Sequence, residues 1–159
     1  MEVTESTRNG FLISTDKSKL DIQLVHGYLS SSAYWSLHIP VGTVQRSIDH
    51  SCCFGVYKLF PGEEPSLQQI GFARVITDYA TFGYLADVFV LEAYQKQGLG
   101  QWLVETILAH PPLQGFRGWM LATRDAHALY AKFGFTVLEN PGRFMRLGVL
   151  PAYPPPGQD

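Results

Sequence analysis

One short stretch constrains this chain more than any other: Gln95-Lys96-Gln97-Gly98-Leu99-Gly100, between a strand-like apolar run and a helical one. A strand, a glycine loop and a helix in that order gather free backbone N–H groups and the positive end of a helix dipole around one point, where an anion binds. Gly98 and Gly100 let the backbone approach phosphate with no side chain in the way, and Lys96 adds a positive charge. A P-loop requires Gly-Lys-Ser/Thr at its end, but Gln101-Trp102 follows here. A dinucleotide fold requires a third glycine where Leu103 stands and an acid about 20 positions on, yet no Asp or Glu lies between Glu105 and Asp125. The pattern Gln/Arg-x-x-Gly-x-Gly/Ala fits at every position. Alone, it also suits a plain strand-to-helix turn.

The elements around the loop follow from periodicity and punctuation. Leu12–Thr15 starts a short strand, and Asp21 precedes a helical pattern that closes at Ser30-Ser31-Ser32. A second short helix is expected over Val41–Ile48, then strands at Ser51–Phe60, Gln69–Thr77 and Phe82–Leu91. A helix over Leu99–Ala109 stops at Pro111-Pro112, and Gly118–Ala122 is a short apolar strand. Ala126–Lys132 is a helix ended by Gly134. Phe135–Leu138 and Arg143–Val149 read as a closing strand pair across Asn140-Pro141-Gly142. The order gives one mixed α/β (α+β) domain over residues 1–150, with a flexible proline-rich tail at 151–159.

With 46% apolar and 16% charged residues the chain reads as soluble and globular, and no apolar run approaches the roughly 20 residues of a membrane helix. The polar start Met1-Glu2-Val3-Thr4-Glu5 is unlike a secretory signal. A net charge of −2 provides no general attraction to nucleic acid or to an anionic membrane. Cys52 and Cys53 are adjacent on an apolar strand and point to opposite faces, which argues for two reduced core thiols and a cytoplasmic setting. The five histidines show no metal-ligand spacing.

The second half carries a resemblance. The run from Asp87 to Gly100 resembles the acetyl-CoA loop of the GNAT superfamily of N-acetyltransferases. About 30 residues on, Leu129-Tyr130-Ala131-Lys132-Phe133-Gly134-Phe135 resembles that superfamily's Leu-Tyr-x-x-x-Gly-Phe segment. The detailed likeness covers about Leu85 to Thr136. It implies a mixed, mostly antiparallel sheet flanked by helices and splayed beside its fourth strand, the one ending at Leu91. Pantetheine would pair there with the backbone of Val88, Phe89 and Val90, and the pyrophosphate would rest on the amides of Lys96 to Gln101. The same resemblance makes Tyr130 the acid that protonates the departing CoA thiolate. Asp125 stands where relatives carry a pantetheine-binding Asn, and it would bond the pantetheine arm or cap the following helix.

An amine acceptor must lose a proton, and Asp87 is the best-placed acid, although regular alternation would turn it away from the acyl group. Asp78 and a chain of waters are alternatives. Tyr34, Trp35, Tyr79, Phe82 and Tyr84, with Asp78 as an acidic contact, are candidates for an aromatic pocket holding a small or peptide amine. The implied activity is transfer of acetyl from acetyl-CoA to a primary amine. A non-catalytic acyl-CoA sensor, or a transferase with another acyl chain or acceptor, stays open. So does a homodimer paired through the closing strands.

Overall fold

The computed structural model describes residues 2–147, 153–155 and 157. Six strands form one sheet in the order of the chain: β1 (Glu5–Arg8), β2 (Phe11–Ser14), β3 (Cys52–Phe60), β4 (Ser66–Thr77), β5 (Phe82–Val90) and β6 (Gly118–Leu121). All neighbours are antiparallel except β5 and β6. That one parallel pair requires a crossover, which the helix α3 (Leu99–Ala109) supplies. Helices α1 (Ile22–Ser31) and α2 (Val41–Asp49) precede β3, and the short α4 (His127–Ala131) follows β6.

Each sheet face has its own core. Phe54, Val56, Ile70, Val75 and Leu85 pack against Leu103, Val104 and Ile107 of α3. Cys53, Phe72 and Phe89 pack against Val25 and Leu29 of α1 and Val44 and Ile48 of α2. The adjacent cysteines divide between the two faces as strand alternation requires, and both thiols are free and buried. Asp21 caps α1 by accepting the Leu24 N–H at 2.9 Å. Among the described residues no helix is long and apolar enough to cross a membrane.

Two features differ from the sequence reading. The polar strand β1 has no apolar alternation to announce it; it forms because β2 offers its free edge. The expected closing strand pair is absent as far as Leu147, and residues 148 and 149 lie outside the described residues. Phe135 instead turns back on the end of α4, where its N–H donates to the Tyr130 carbonyl and its ring meets Tyr130 edge-on. Met145 and Leu147 are 99% and 103% exposed, so these apolar residues have no partner to bury against among the described residues.

The sheet also holds one close backbone approach beside the site. A Cβ at Gly71 would lie 2.8 Å from the Phe89 carbonyl oxygen and 3.2 Å from Val56 Cβ. Gly71→Ala is therefore expected to cost about 1–3 kcal/mol by forcing backbone movement. Chemical denaturation checks this; unchanged stability would show that β4 and β5 are looser than described.

Candidate active site

The site begins with an irregularity in β5. Phe72 pairs with Phe89 and Arg74 pairs with Ala86, so β5 spends three residues where β4 spends two. Asp87 is the left-handed residue of this bulge, with φ +52; Asp is among the few non-glycine residues that adopt that region readily. The extra residue shifts the alternation by one. Phe89 and Phe72 share the α1–α2 face, and beyond the bulge Ala86 and Tyr84 face that same side, opposite Arg74 and Ile76. The expectation that Asp87 turns away on a regular strand fails for this reason.

Pairing of β5 with β6 ends just before the bulge, at Leu85 opposite Leu121. From Ala86 onward the two strands part, and a cleft of about 640 Å³ opens between them and the α1–α2 connection. Leu91 N–H donates to the Ile70 carbonyl, so by alternation Phe89 also turns its backbone to β4 while Val88 and Val90 turn theirs to the gap. Of the three expected pantetheine contacts, two thus face the opening. The Phe89 ring instead stacks on Tyr28 of α1 at 3.9 Å, anchoring this half of the strand.

One wall of the cleft is charged and braced. The Asp87 carboxylate accepts the Trp35 indole N–H at 2.9 Å through Oδ1 and pairs with Arg74 through Oδ2. Arg74 also donates to the Ser51 hydroxyl at 3.2 Å. The side chains are only 17% and 9% exposed for Arg74 and Asp87, so each depends on the other for compensation. Tyr34 braces the opposite rim. Its hydroxyl accepts the Arg124 backbone N–H at 3.0 Å, its ring lies 3.9 Å under the Arg124 guanidinium, and it meets Trp35 edge-on. Tyr84 completes the aromatic lining.

Tyr130 enters from α4. A turn after the helix, in which the Gly134 and Phe135 N–H groups return to the Ala131 and Tyr130 carbonyls, sets the ring against the α3-side core. Tyr130 is buried yet lines the cleft, and burial, reinforced by the neighbouring Tyr34, pushes its phenol up to about 12. It therefore stays protonated across the neutral and mildly alkaline range. Asp125 lines the cleft mouth, exposed and 3.8 Å from Arg124. It caps nothing: α4 begins at His127, and Thr123 Oγ1 accepts the Ala126 N–H ahead of it at 3.0 Å.

The glycine loop lies at the end of β5. Gln95 ties it down, its side-chain amide donating to the Val90 carbonyl at 2.8 Å. Lys96 and Gly98 are both left-handed, at φ +61 and +79. A Cβ at Gly98 would meet nothing, so its glycine answers to backbone angle rather than to space. Leu99, Gly100 and Gln101 form the first turn of α3, where helical N–H groups have no partner within the helix. Gln97 is exposed beside them. Lys132 reaches the same place from α4, donating to the Gln101 side chain at 3.2 Å.

Three residues expected in the pocket stand elsewhere. Asp78 caps the β4–β5 turn, accepting from Ala80, Thr81 and the Thr81 hydroxyl, which holds its carboxyl well below the usual range. Tyr79 lines a separate cavity of about 270 Å³ with Cys52, Lys17 and His110. Phe82 is exposed at the start of β5. Arg74 escaped the sequence reading, although one signal was there: Arg74 and Asp87 are lone opposite charges on apolar strands of one hairpin.

Comparison with known proteins places this geometry. The model of the acetyltransferase (GNAT) domain matches residues 53–137, more than half of the chain. The chain belongs to the GNAT acetyltransferases. A protein of Gibberella zeae, named as an acetyltransferase, is 33% identical over 141 residues, 79% of this chain and 78% of its own length. A GNAT-family crystal structure from Xanthomonas campestris is 47% identical, with a TM-score of 0.80 over 90% of this chain and 96% of that one. Glucosamine-6-phosphate N-acetyltransferase from Arabidopsis thaliana shares the fold at 15% identity and a TM-score of 0.53, over 94% of this chain and 98% of that one. This GNAT chain is thus a transferase, and the cosubstrate its family implies is acetyl-CoA.

The Arg74–Asp87 pair yields a stability prediction. Arg74→Ala leaves a carboxylate uncompensated and should cost about 3–5 kcal/mol, whereas Arg74→Met with Asp87→Asn should cost clearly less than the sum of the single changes. Urea denaturation of the double-mutant cycle checks this. Additive costs would mean that the pair is solvated and independent.

Proposed function

We propose that this GNAT protein transfers acetyl from acetyl-CoA to a primary amine whose carbon skeleton is aromatic or otherwise apolar. One observation carries the reading: the buried Tyr130 phenol and the braced Asp87 carboxylate look into one cleft, which opens along the free edge of β5. The donor side fits the cosubstrate. Val88 and Val90 offer backbone to an amide-bearing arm, while Lys96, Lys132 and the first turn of α3 offer positive charge and N–H groups to a pyrophosphate. The acceptor side is lined by Tyr34, Trp35, Tyr84 and Ile39, with its charges balanced in pairs. Such a wall suits an apolar amine and gives no surplus cation for a phosphorylated one.

Acetyl-CoA supplies an activated thioester. Asp87 has both oxygens already engaged by donors, so its part is to draw in the substrate ammonium and orient it while water takes the proton. The freed amine forms the C–N bond as the C–S bond breaks, and the nitrogen gives up its second proton to water. Tyr130 gives its proton to the departing sulfur and regains one from solvent.

Tyr130→Phe is expected to lower kcat by about 10²–10⁴-fold with CoA affinity retained. Asp87→Asn should chiefly raise the amine KM. Because burial raises the Tyr130 phenol, kcat of the unaltered enzyme should show no fall from loss of this acid up to about pH 10. Thiol release across a panel of amines measures all three. CoA binding with no release for any amine would replace the transferase reading of this site with a sensor.

A further inference from the structure

The cleft adjoins a second hollow. A groove of about 560 Å³ runs past the end of α1 and the start of α2, bordered by Ser30, His38, Pro40 and the tail residues Pro154 and Pro155. Two residues line both spaces, Ile39 and Tyr153, so these two side chains form the partition between them. Ile39 is fixed: its side chain is buried in the α1–α2 core and its carbonyl is bonded to the His26 ring at 3.0 Å. Tyr153 comes from the segment that composition alone reads as a loose tail, yet it is half-buried and packs on that same core. Its neighbours stiffen it. A residue before proline is confined to extended backbone, and Pro154 and Pro155 have fixed φ, so holding the ring in place costs little chain entropy.

We propose that Tyr153 is a specificity-determining residue: its ring closes the acceptor end of the cleft and limits the length of amine that the site accepts. The inference rests on the amine-acetylation reading and adds to it. With the ring removed, cleft and groove join past Ile39, and a longer apolar chain can extend along α1 without disturbing Asp87, Tyr130 or the glycine loop. With the hydroxyl alone removed, the wall remains.

The test compares ethylamine and 4-phenylbutylamine as acceptors, with acetyl-CoA, in the full-length protein and in Tyr153→Ala and Tyr153→Phe. Tyr153→Ala should raise the ratio of kcat/KM for the long amine over the short one by roughly tenfold or more. Tyr153→Ala gives up packing on the α1–α2 core, so its melting temperature should fall modestly while its CoA affinity stays near that of the parent, and Tyr153→Phe should keep the parental ratio. A merely structural role would lower both amines together. An unchanged ratio in Tyr153→Ala, or equal losses on both amines, overturns the proposal while leaving amine acetylation intact. If the parent binds CoA but acetylates no amine in the series, both readings fall together.

Discussion

The one-residue bulge at Asp87 is the constraint on which the rest of the site depends. Without it, β5 would alternate regularly along its length, and Ala86 and Tyr84 would change sides of the sheet. With it, Tyr84, Ala86 and Asp87 gather toward the α1–α2 side, where Trp35 and Arg74 meet them. The parting of β5 from β6 begins at the same place, so the braced wall and the opening beside it arise from one local deviation. The bulge is held by what surrounds it: Asp tolerates the left-handed angle, Arg74 and Trp35 fix its carboxylate, and the stacked Phe89 and Tyr28 fix the strand beyond.

The two sides of the cleft draw on different parts of the chain. In the proposed reading, donor recognition draws on backbone and charge at the end of β5, the first turn of α3 and the end of α4, all within the second half. The acceptor side proposed for the cleft is lined by side chains from the α1–α2 connection, β4 and the tail, which are far apart in sequence. Tyr34 joins the two sides, because its hydroxyl and ring hold the loop that leads into α4. The α1–α2 connection and the loop leading to Tyr130 are thus tied through one side chain.

This division explains what could be read without a structure. Strands β2 to β6, α3 and the glycine loop carry local signals, in apolar period, glycine placement and proline stops, and they stand within three residues of where periodicity puts them. The Tyr130 segment is legible for the same reason. The bulge is not, because one extra residue in a strand leaves no periodic trace. The error over the orientation of Asp87 follows directly from it. Asp78 and Tyr79 sit close to Tyr84 in sequence, but a hairpin turn carries them out of the cleft, and Asp78 has turn amides to satisfy first. The β1 strand and the unpaired Phe144–Leu147 show the same limit from both directions. A polar strand forms where an edge is offered, and an apolar run is not enough by itself to make one.

The central claim is that the gap-facing backbone of β5 receives the pantetheine arm of the cosubstrate. Amide hydrogen exchange, resolved by residue with and without CoA, addresses it directly. Exchange at Val88 and Val90 should slow by about tenfold or more when CoA binds, while Phe89 and Leu91, whose backbones face β4, should change little. If CoA binds and Val88 and Val90 exchange as fast as before, the cosubstrate lies elsewhere and the bulge does not build its site.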